Sequence, residues 1–278
     1  MSIRTRFAPS PTGRLHLGHA LAAVVARDLA ASVPGGAFLL RFEDIDASRV
    51  RPEWFIGIEE DLRWLGLQWH GEPLRQSMRG AAYQAALDAL HTLGVLYPCF
   101  CTRGEIRRET ERMPAAPHGD EGPPYPGTCR RLPTAERADK IAAGVAHAWR
   151  LDVRAAAAIT GPLQFTDLRF GTIEVDPLRS GDVVLARKDV GVAYHLAVVV
   201  DDAFQSITHV TRGEDLLGAT HIHRLLQALL GCEPPVWLHH RLVCDDHGNR
   251  LAKRHDALSL RALRESGATP EDVLRRIR

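Results

Sequence analysis

Two histidines near the N terminus, His16 and His19, have the spacing and surroundings of a phosphate-binding site. They stand at the expected start of a helix, where exposed backbone N–H groups and the positive end of the helix dipole attract anions. Gly18 between them would let a nucleotide approach the backbone closely, and two imidazoles can donate hydrogen bonds to developing phosphate charge. The alternative is that both histidines are ordinary turn and helix-cap residues, which so short a motif does not exclude by itself.

A cysteine cluster predicts a metal site. Three of the five cysteines are Cys99, Cys101 and Cys129, and three thiolates need one more donor to complete a tetrahedral zinc site. Chemistry alone favours His118 as that donor, because imidazole is a far commoner zinc ligand than a phenol, and Tyr125 is the rival. Three reduced cysteines without a metal are the alternative interpretation.

The composition argues against several classes of protein. Hydrophobic residues make up 45% and charged residues 25% of the 278 residues, and the net charge is +1, so neither a disordered chain nor a uniformly basic nucleic-acid coat is expected. Any affinity for RNA must therefore come from local patches. The chain opens without an apolar run of signal-peptide length, and no later stretch has the length of a bilayer-spanning helix. We therefore expect a cytoplasmic protein with no membrane partner.

The N-terminal part of the chain has the alternating pattern of parallel β-α-β units. Apolar strands are predicted over residues 3–8 and 37–42, with a helix over residues 19–32 between them. Further helices are predicted from residue 52 and over residues 80–93. Ligands of such sheets bind at the carboxyl ends of the strands, and both Arg6 to Ser10 and Glu43 fall there.

The second half of the sheet is predicted to start at an apolar run. Residues 193–200 have the continuous apolar character typical of a central strand. A strand over residues 206–211 and a helix over residues 221–230 would complete this half.

An insertion is predicted between the two halves. Residues 102–133 are polar and proline-rich, which is long for a loop in a compact domain unless something such as a metal holds it. Strands of a smaller domain are predicted over residues 148–153 and 172–175. The predicted domains are residues 1–97 and 176–231 for the two halves of the parallel α/β domain, 98–175 for the insertion and 232–278 for a C-terminal appendage.

The segment from Arg6 to His19 resembles the class I aminoacyl-tRNA synthetases, and specifically their glutamyl branch. Residues 16–19 match the H-(I/L)-G-H signature of that family within the longer pattern R-F-A-P-S-P-T-G. The resemblance continues through residues 40–46, 194–202 and 208–217, and covers nearly the whole chain. It implies an α/β fold: a Rossmann-like parallel sheet with an inserted zinc-containing subdomain and a short C-terminal helical appendage.

The same resemblance implies an enzyme that uses ATP, with Mg²⁺, to activate glutamate as an acyl-adenylate. Glutamate has two carboxylates and an ammonium, and its pocket therefore needs paired cations, an anion and directional donors. Positions that match glutamate-binding positions of the family are Arg6, Phe7, Ala8, Pro9, Ser10, Glu43, Tyr194 and Arg212. Positions that match its ATP-binding residues are His16, Gly18, His19 and Lys253, of which the two histidines and the lysine are the expected catalytic residues. For Arg6 and Glu43 the alternative is an ion pair with neighbouring charges.

Residues 249–254 occupy the place of the second class I signature, a mobile K-M-S-K-S loop. Lys253 would offset negative charge on the triphosphate during attack on the α-phosphate. Arg250 replaces the first lysine of the signature, and Ala252 stands where the family usually has serine. A solvated basic turn is the alternative interpretation.

The resemblance favours Tyr125 as the fourth zinc ligand. Short members of the glutamyl branch carry C-x-C followed by Y-x-x-x-C, and residues 125–129 fit the second part of that pattern. We therefore choose Cys99, Cys101, Tyr125 and Cys129 as the zinc ligands, with His118 as the alternative to the tyrosine.

A complete glutamyl-tRNA synthetase continues well past the second signature into an anticodon-reading domain, and this sequence ends soon after Lys253. We expect that domain to be absent. The resemblance then implies the short branch, which activates glutamate without tRNA and attaches it to the queuosine base in the anticodon loop of tRNA-Asp. We expect a monomer. The alternatives are a truncated enzyme that charges tRNA-Glu and a zinc-bearing RNA-binding protein without catalysis.

The arginines of the insertion and of the C-terminal tail are candidate RNA contacts, although a solvated charged face would also explain them. They are Arg103, Arg107, Arg108, Arg112, Arg130, Arg131, Arg275, Arg276 and Arg278.

Overall fold

The computed structural model describes residues 2–102, 104–106, 125–187, 191–243 and 259–277. The strands are β1 (Arg4–Phe7), β2 (Ala37–Phe42), β3 (Leu74–Arg75), β4 (Leu96–Cys99), β5 (Ala148–Leu151), β6 (Gln164–Asp167), β7 (Gly171–Glu174), β8 (Val184–Arg187), β9 (Gly191–Val192), β10 (His209–Gly213) and β11 (Val236–His240). The helices are α1 (Leu17–Ala31), α2 (Pro52–Trp64), α3 (Gly80–Thr92), α4 (Thr134–Ala142), α5 (Val153–Thr160), α6 (Tyr194–Phe204), α7 (Leu217–Leu229), α8 (Leu260–Glu265) and α9 (Pro270–Ile277).

Parallel strands from both halves of the sequence form the central layer. β1 pairs in parallel with β2, with Arg4 opposite Ala37, and β2 pairs in parallel with β3. β10 pairs in parallel with β11, with His209 opposite Val236. The backbone N–H of Thr208 donates to the carbonyl oxygen of Arg4 at 3.0 Å, which brings the edges of β1 and β10 together. The predicted parallel α/β architecture is therefore confirmed.

Two segments outside the predicted second half of the catalytic domain also join this sheet. β11 lies in the stretch that the sequence assigned to the C-terminal appendage, yet it pairs with β10 along its length. β6 pairs in parallel with β11 through Asp167 opposite Trp237, and β7 pairs antiparallel with β6. The hairpin of β6 and β7 therefore lies beside the strands of the second half. The domain boundaries drawn from the sequence stay predictions.

A separate antiparallel sheet carries the cysteine cluster. Its strand order is β4, β5, β8 and β9, and Cys99 at the end of β4 is opposite Ala148 at the start of β5. The cysteine thus stands at an end of two paired strands, from which its side chain can meet those of the following segment.

Residues 194–204 form helix α6, so the prediction of a central strand here is wrong. A continuous apolar run fits either a central strand or a helix that is buried on most sides, and periodicity alone does not separate them. The helix is covered on several faces by α3, α7 and β8. Its buried residues are His195, Leu196, Ala197, Val198, Val199, Asp201 and Asp202.

The C-terminal helices complete the core around α1. Leu260 and Leu263 of α8 and Val273 and Ile277 of α9 belong to the same buried cluster as the apolar residues of α1, β1 and β2. The backbone N–H of Leu260 donates to the carbonyl oxygen of Leu15 at 2.8 Å, just before α1 begins. The end of the described chain therefore supports the loop that carries the two histidines. Within the described part of the chain, no helix has the length and apolar character needed to cross a membrane.

Candidate active site

The carboxyl ends of β1, β2 and β10 and the start of α1 surround a cavity of about 640 Å³. Its lining includes these residues singled out from the sequence: Arg6, Phe7, Ala8, Pro9, Ser10, His16, His19, Glu43, Tyr194 and Arg212. The fold therefore brings together side chains that are far apart in the chain, while their roles in binding stay predictions. Lys253, Arg250 and Ala252 lie outside the described residues.

A larger cavity, of about 860 Å³, is lined by residues of α3, β8 and β9 and by Trp149 of β5. None of the predicted substrate- or ATP-binding residues that the structure describes lines it. We place the chemistry in the smaller cavity because guanidinium groups, a carboxylate and a helix N-terminus converge there.

The two histidines form the N-terminal cap of α1. The Nδ1 atom of His16 accepts from the Gly18 N–H at 3.1 Å, and the Nδ1 atom of His19 accepts from the His16 N–H at 3.2 Å. The helix-cap interpretation thus describes part of what these residues do. Because both Nδ1 atoms accept, a neutral ring carries its proton on Nε2 and is a donor there, as developing phosphate charge requires. A Cβ atom added at Gly18 would lie 3.0 Å from Cε1 of His16, so glycine lets the cap close.

Arg6 is buried at the end of β1 and is paired with Asp202. Its Nε donates to Oδ1 at 2.9 Å and its Nη2 to Oδ2 at 3.3 Å, while Arg41, fully buried, donates to the same Oδ1 at 2.6 Å. Burial alone would raise the pKa of Asp202, but the two guanidinium groups overcome it and hold that pKa below its usual range. The ion-pair alternative for Arg6 is therefore observed. A ligand carboxylate would share this arginine with Asp202.

The preceding residue, Asp201, accepts hydrogen bonds from side chains in α3 and just before it. Its carboxylate accepts from Gln76 at 2.8 Å, from Arg79 at 2.6 Å and from Tyr83 at 2.7 Å. Two consecutive aspartates near the end of α6 thus tie the helix to β1 and β2 on one side and to the start of α3 on the other. This holds in place the first residue of α6, Tyr194, which lines the cavity.

Arg212, at the end of β10, is buried among uncharged partners. Its Nε donates to Nε2 of His239 at 3.2 Å and its Nη1 to Nδ1 of His223 at 3.0 Å. Nη1 also lies 3.5 Å from the hydroxyl of Tyr194, and Nη2 donates to the hydroxyl of Thr220. Among the described residues no carboxylate hydrogen-bonds to this guanidinium, which is always a cation in a protein. Arg212 therefore presents to the cavity a positive charge that, within the described part of the chain, is hydrogen-bonded to neutral groups only.

Burial also sets the charge of the neighbouring acid. It raises the pKa of Glu43 to about 7, although Arg41 and Arg6 oppose the shift. Burial likewise raises the pKa of the Tyr194 phenol, with Arg212 opposing, so the hydroxyl stays a neutral donor or acceptor. The lining thus offers cationic arginines and a carboxylate that is readily protonated near neutral pH.

The cysteine cluster fits one metal ion. The Sγ atoms of Cys99, Cys101 and Cys129 all lie within 4.8 Å of one another, and those of Cys101 and Cys129 are 3.4 Å apart. With metal–sulfur bonds of about 2.3 Å, the sulfurs of a tetrahedral site lie about 3.8 Å apart. The hydroxyl of Tyr125 is 3.4 Å from Sγ of Cys101, where a fourth donor could lie. His118, the other candidate, lies outside the described residues.

The candidate RNA-binding arginines are only partly described. Arg130 donates to Asp182 at 2.8 Å and Arg131 to the carbonyl oxygen of Pro126 at 3.1 Å, so both contribute to the structure of the insertion. Arg275 and Arg276 lie on the exposed side of α9. The other candidates lie outside the described residues: Arg103, Arg107, Arg108, Arg112 and Arg278.

Sequence reasoning missed three residues that shape the site. Asp202 lies within a matched segment, but nothing in the sequence indicated that it would bind Arg6. Nothing in the sequence indicates a role for His239, or for Asp167, which accepts a hydrogen bond from the His239 ring. A buried acid and histidine on two paired strands become visible only when the sheet order is known.

Comparisons with known proteins agree with this geometry. A family model described as tRNA synthetases class I (E and Q), catalytic domain, matches residues 2–278. The chain is 48% identical to a glutamyl-Q tRNA(Asp) synthetase of Rhodobacter capsulatus over 98% of this chain and 99% of that protein. It is 46% identical to a protein of the same name from Nitratidesulfovibrio vulgaris over 98% of this chain and 84% of that protein.

A solved structure is similar over nearly the whole chain. It is a glutamate tRNA ligase from Elizabethkingia meningosepticum in complex with its amino acid, with a TM-score of 0.76 and 29% identity. The match covers 96% of this chain and 53% of that one, so this chain spans about half the length of the solved enzyme. With its fold, its cavity and these similarities together, the chain belongs to the class I tRNA synthetases of the glutamate and glutamine group, as represented by their catalytic domain.

Proposed function

We propose that this chain activates L-glutamate with ATP, without tRNA, and transfers the glutamyl group to the queuosine base in the anticodon loop of tRNA-Asp. The observation that carries the choice of amino acid is the buried charge of Arg212, whose hydrogen-bond partners among the described residues are neutral. A buried cation whose partners are neutral favours an anionic ligand, and a guanidinium can grip a carboxylate through two N–H bonds. The similarity to relatives named glutamyl-Q tRNA(Asp) synthetase supports the choice of acceptor.

Within this proposal, each group of glutamate has a place in the cavity. The α-carboxylate must face the phosphorus that it attacks, near the N-terminus of α1. The side-chain carboxylate would then bind Arg212, with Tyr194 beside it. Glu43 would hold the α-ammonium. These contacts orient the substrate, which is the main catalytic contribution that a synthetase of this kind can make.

Activation needs no nucleophile from the protein. An oxygen of the α-carboxylate attacks the α-phosphorus of ATP, a phosphoanhydride bond breaks, and pyrophosphate leaves. Donors on Nε2 of His16 and His19, together with the helix N-terminus, would stabilise the charge on the phosphates, and Lys253 is proposed to act from outside the described residues. Mg²⁺ would accompany ATP as part of the substrate. In the second step a hydroxyl of the queuosine ring attacks the acyl carbon, and AMP leaves.

The amino-acid and acceptor specificities can be tested separately. We expect pyrophosphate exchange with glutamate, but not with glutamine or aspartate, when no RNA is present. Labelled glutamate should then be transferred to tRNA-Asp that carries queuosine and not to tRNA-Asp that lacks it. Arg212→Gln should lower kcat/KM for glutamate by about 30-fold or more, because it removes the charged partner of a buried carboxylate. Arg63→Gln, an exposed arginine of α2, is the matched control.

Two results would contradict the proposal. Exchange only after addition of tRNA-Glu would indicate a truncated enzyme that charges that tRNA. No exchange with any amino acid, by a protein that still binds RNA, would indicate a binding protein without catalysis.

Glutamate binding should release a proton. The pKa of Glu43 is about 7 in the protein without ligand, and an ammonium beside the carboxylate favours its ionised form. Below about pH 7 the protonated acid must lose its proton when glutamate binds, so affinity should rise as pH increases towards 7 and then level off. Isothermal titration calorimetry in buffers of different ionisation enthalpy measures the released proton. Glu43→Gln should abolish the release and Glu53→Gln, exposed on α2, should not; an affinity that is constant from about pH 6 to pH 8 would argue against this role.

We further propose that the cysteine cluster binds a structural zinc ion, held by the three thiolates and Tyr125. Metal analysis of protein purified with zinc should give about one ion per chain. Cys101→Ser should lose the ion and lower the thermal stability, since the site joins β4 to the segment after residue 124. Cys232→Ser, which changes a cysteine outside the cluster, should keep both the zinc ion and the thermal stability of the wild type.

The fourth ligand is tested by one further variant. Tyr125→Phe should weaken zinc binding in competition with a chelator, because it removes the phenol oxygen, which also accepts from the backbone N–H of Cys129 at 2.9 Å. Unchanged affinity would assign the fourth position to another donor, such as His118. An absence of zinc from the wild-type protein would contradict the site altogether.

A further inference from the structure

Arg212 is hydrogen-bonded to a histidine that does not line the cavity. His239 of β11 is fully buried, and its Nε2 lies 3.2 Å from Nε of Arg212. On the other side of the ring, Nδ1 lies 2.6 Å from Oδ2 of Asp167. Asp167, His239 and Arg212 therefore form a continuous line of hydrogen bonds that runs from the β6–β7 hairpin to the cavity.

The direction of each hydrogen bond in this line follows from the chemistry of arginine. The Nε atom of Arg212 can only donate, so Nε2 of His239 must accept and cannot carry a proton. The proton of the neutral ring is then on Nδ1, where it is donated to the carboxylate of Asp167. Burial, followed by the charge of Arg212, lowers the pKa of His239 to about 4, although Asp167 opposes the shift. The ring is therefore neutral at physiological pH.

A second histidine restrains the other end of the guanidinium in the same way. Nδ1 of His223 lies 3.0 Å from Nη1 of Arg212, and Nε2 of His223 lies 3.1 Å from Nδ1 of His195. His223 must accept from the arginine, so its proton is on Nε2 and is donated to His195. Burial, followed by Arg212, holds the pKa of His223 well below its usual value. Two neutral rings thus orient the arginine without cancelling its charge.

The carboxylate of Asp167 is itself fixed by the turn that follows β6. Its Oδ1 accepts from the backbone N–H groups of Arg169 at 2.8 Å and Phe170 at 3.0 Å. Its Oδ2 accepts from the backbone N–H of His239 at 3.1 Å as well as from the ring. All four bonds need acceptor oxygens, which an ionised carboxylate provides and an amide does not.

We propose that Asp167 is a positioning residue for the substrate's side-chain carboxylate: by accepting the Nδ1 proton of His239 it fixes the tautomer that accepts from Arg212, and so holds the guanidinium towards the cavity. The inference rests on the proposed function, in which Arg212 binds glutamate. It assigns to the β6–β7 hairpin, whose Asp167 does not line the cavity, an effect on amino-acid binding. Without the carboxylate of Asp167, the proton of the His239 ring could move to Nε2. The Nε2–H of His239 and the Nε–H of Arg212 would then both be donors facing each other.

Substitution of Asp167 separates this role from a merely structural one. In pyrophosphate exchange, Asp167→Asn should raise KM for glutamate by about tenfold or more and leave KM for ATP unchanged, because a buried donor of Arg212 loses its acceptor. Asp152→Asn is the matched control: Asp152 also accepts from two backbone N–H groups after it, at 3.1 Å each, but contacts no histidine. The control should keep KM for glutamate within about twofold of wild type.

A double-mutant cycle tests the tautomer as the link. The side-chain oxygen of glutamine in His239→Gln can accept from Arg212 without help from Asp167, so this variant is the background in which the effect of Asp167 on KM is measured again. In the His239→Gln background, Asp167→Asn should then raise KM by less than about threefold. An equal rise in both backgrounds, or a fall in kcat and stability with KM unchanged, would overturn the proposal.

The wild-type protein offers a readout that depends on no variant. In ¹⁵N-histidine NMR spectra, His239 should show a protonated Nδ1 and an unprotonated Nε2. The opposite tautomer, or a doubly protonated ring at neutral pH, would refute the inference even if every variant failed to fold. Because this measurement needs no activity, it stands apart from the proposed function, which fails instead if the wild-type protein shows no exchange with glutamate.

Discussion

A permanent positive charge, Arg212, lies in the protein interior among partners that are all uncharged, and the arrangement of the site follows from that constraint. Removing a guanidinium from water costs free energy that a neutral hydrogen bond only partly offsets. Two neutral histidines and two hydroxyls satisfy its N–H groups and leave its charge in place. A carboxylate from a ligand can therefore gain more here than at Arg6, whose guanidinium is already hydrogen-bonded to the carboxylate of Asp202. The family relationship and the geometry thus lead to the same class of substrate.

The two consecutive aspartates of α6 show how the fold holds this site. Asp202 binds Arg6 and Arg41 from the first half of the sheet, and Asp201 binds three side chains at the start of α3. One short helix is thereby locked between segments that are more than a hundred residues away in sequence. Because Tyr194 begins that helix, the position of this part of the cavity wall depends on the ion pairs of the two aspartates near the other end of the helix. Loss of Asp202 would leave two buried arginines, Arg6 and Arg41, without a carboxylate, which is costly in a low-dielectric interior.

Much of the fold could be predicted from local patterns, and the exceptions have physical reasons. β2 was predicted at its observed bounds, since an apolar run between glycines and acidic residues is unambiguous. The run at residues 193–200 was predicted as a strand and is mostly helix, because a buried helix and a central strand bury the same residue types. The motif at residues 6–19 located one wall of the cavity. Asp167 and His239 were missed because their meeting depends on the pairing of β6 with β11, which no sequence spacing encodes.

The most direct test of the central claim is a crystal structure of the protein with L-glutamate bound. The account predicts the side-chain carboxylate within hydrogen-bond distance of Arg212, the ammonium beside Glu43 and the α-carboxylate towards His16 and His19. The two histidines behind Arg212 should keep the contacts they have without ligand. A glutamate whose carboxylates meet only Arg6, or one bound elsewhere while Arg212 keeps only neutral partners, would contradict the account.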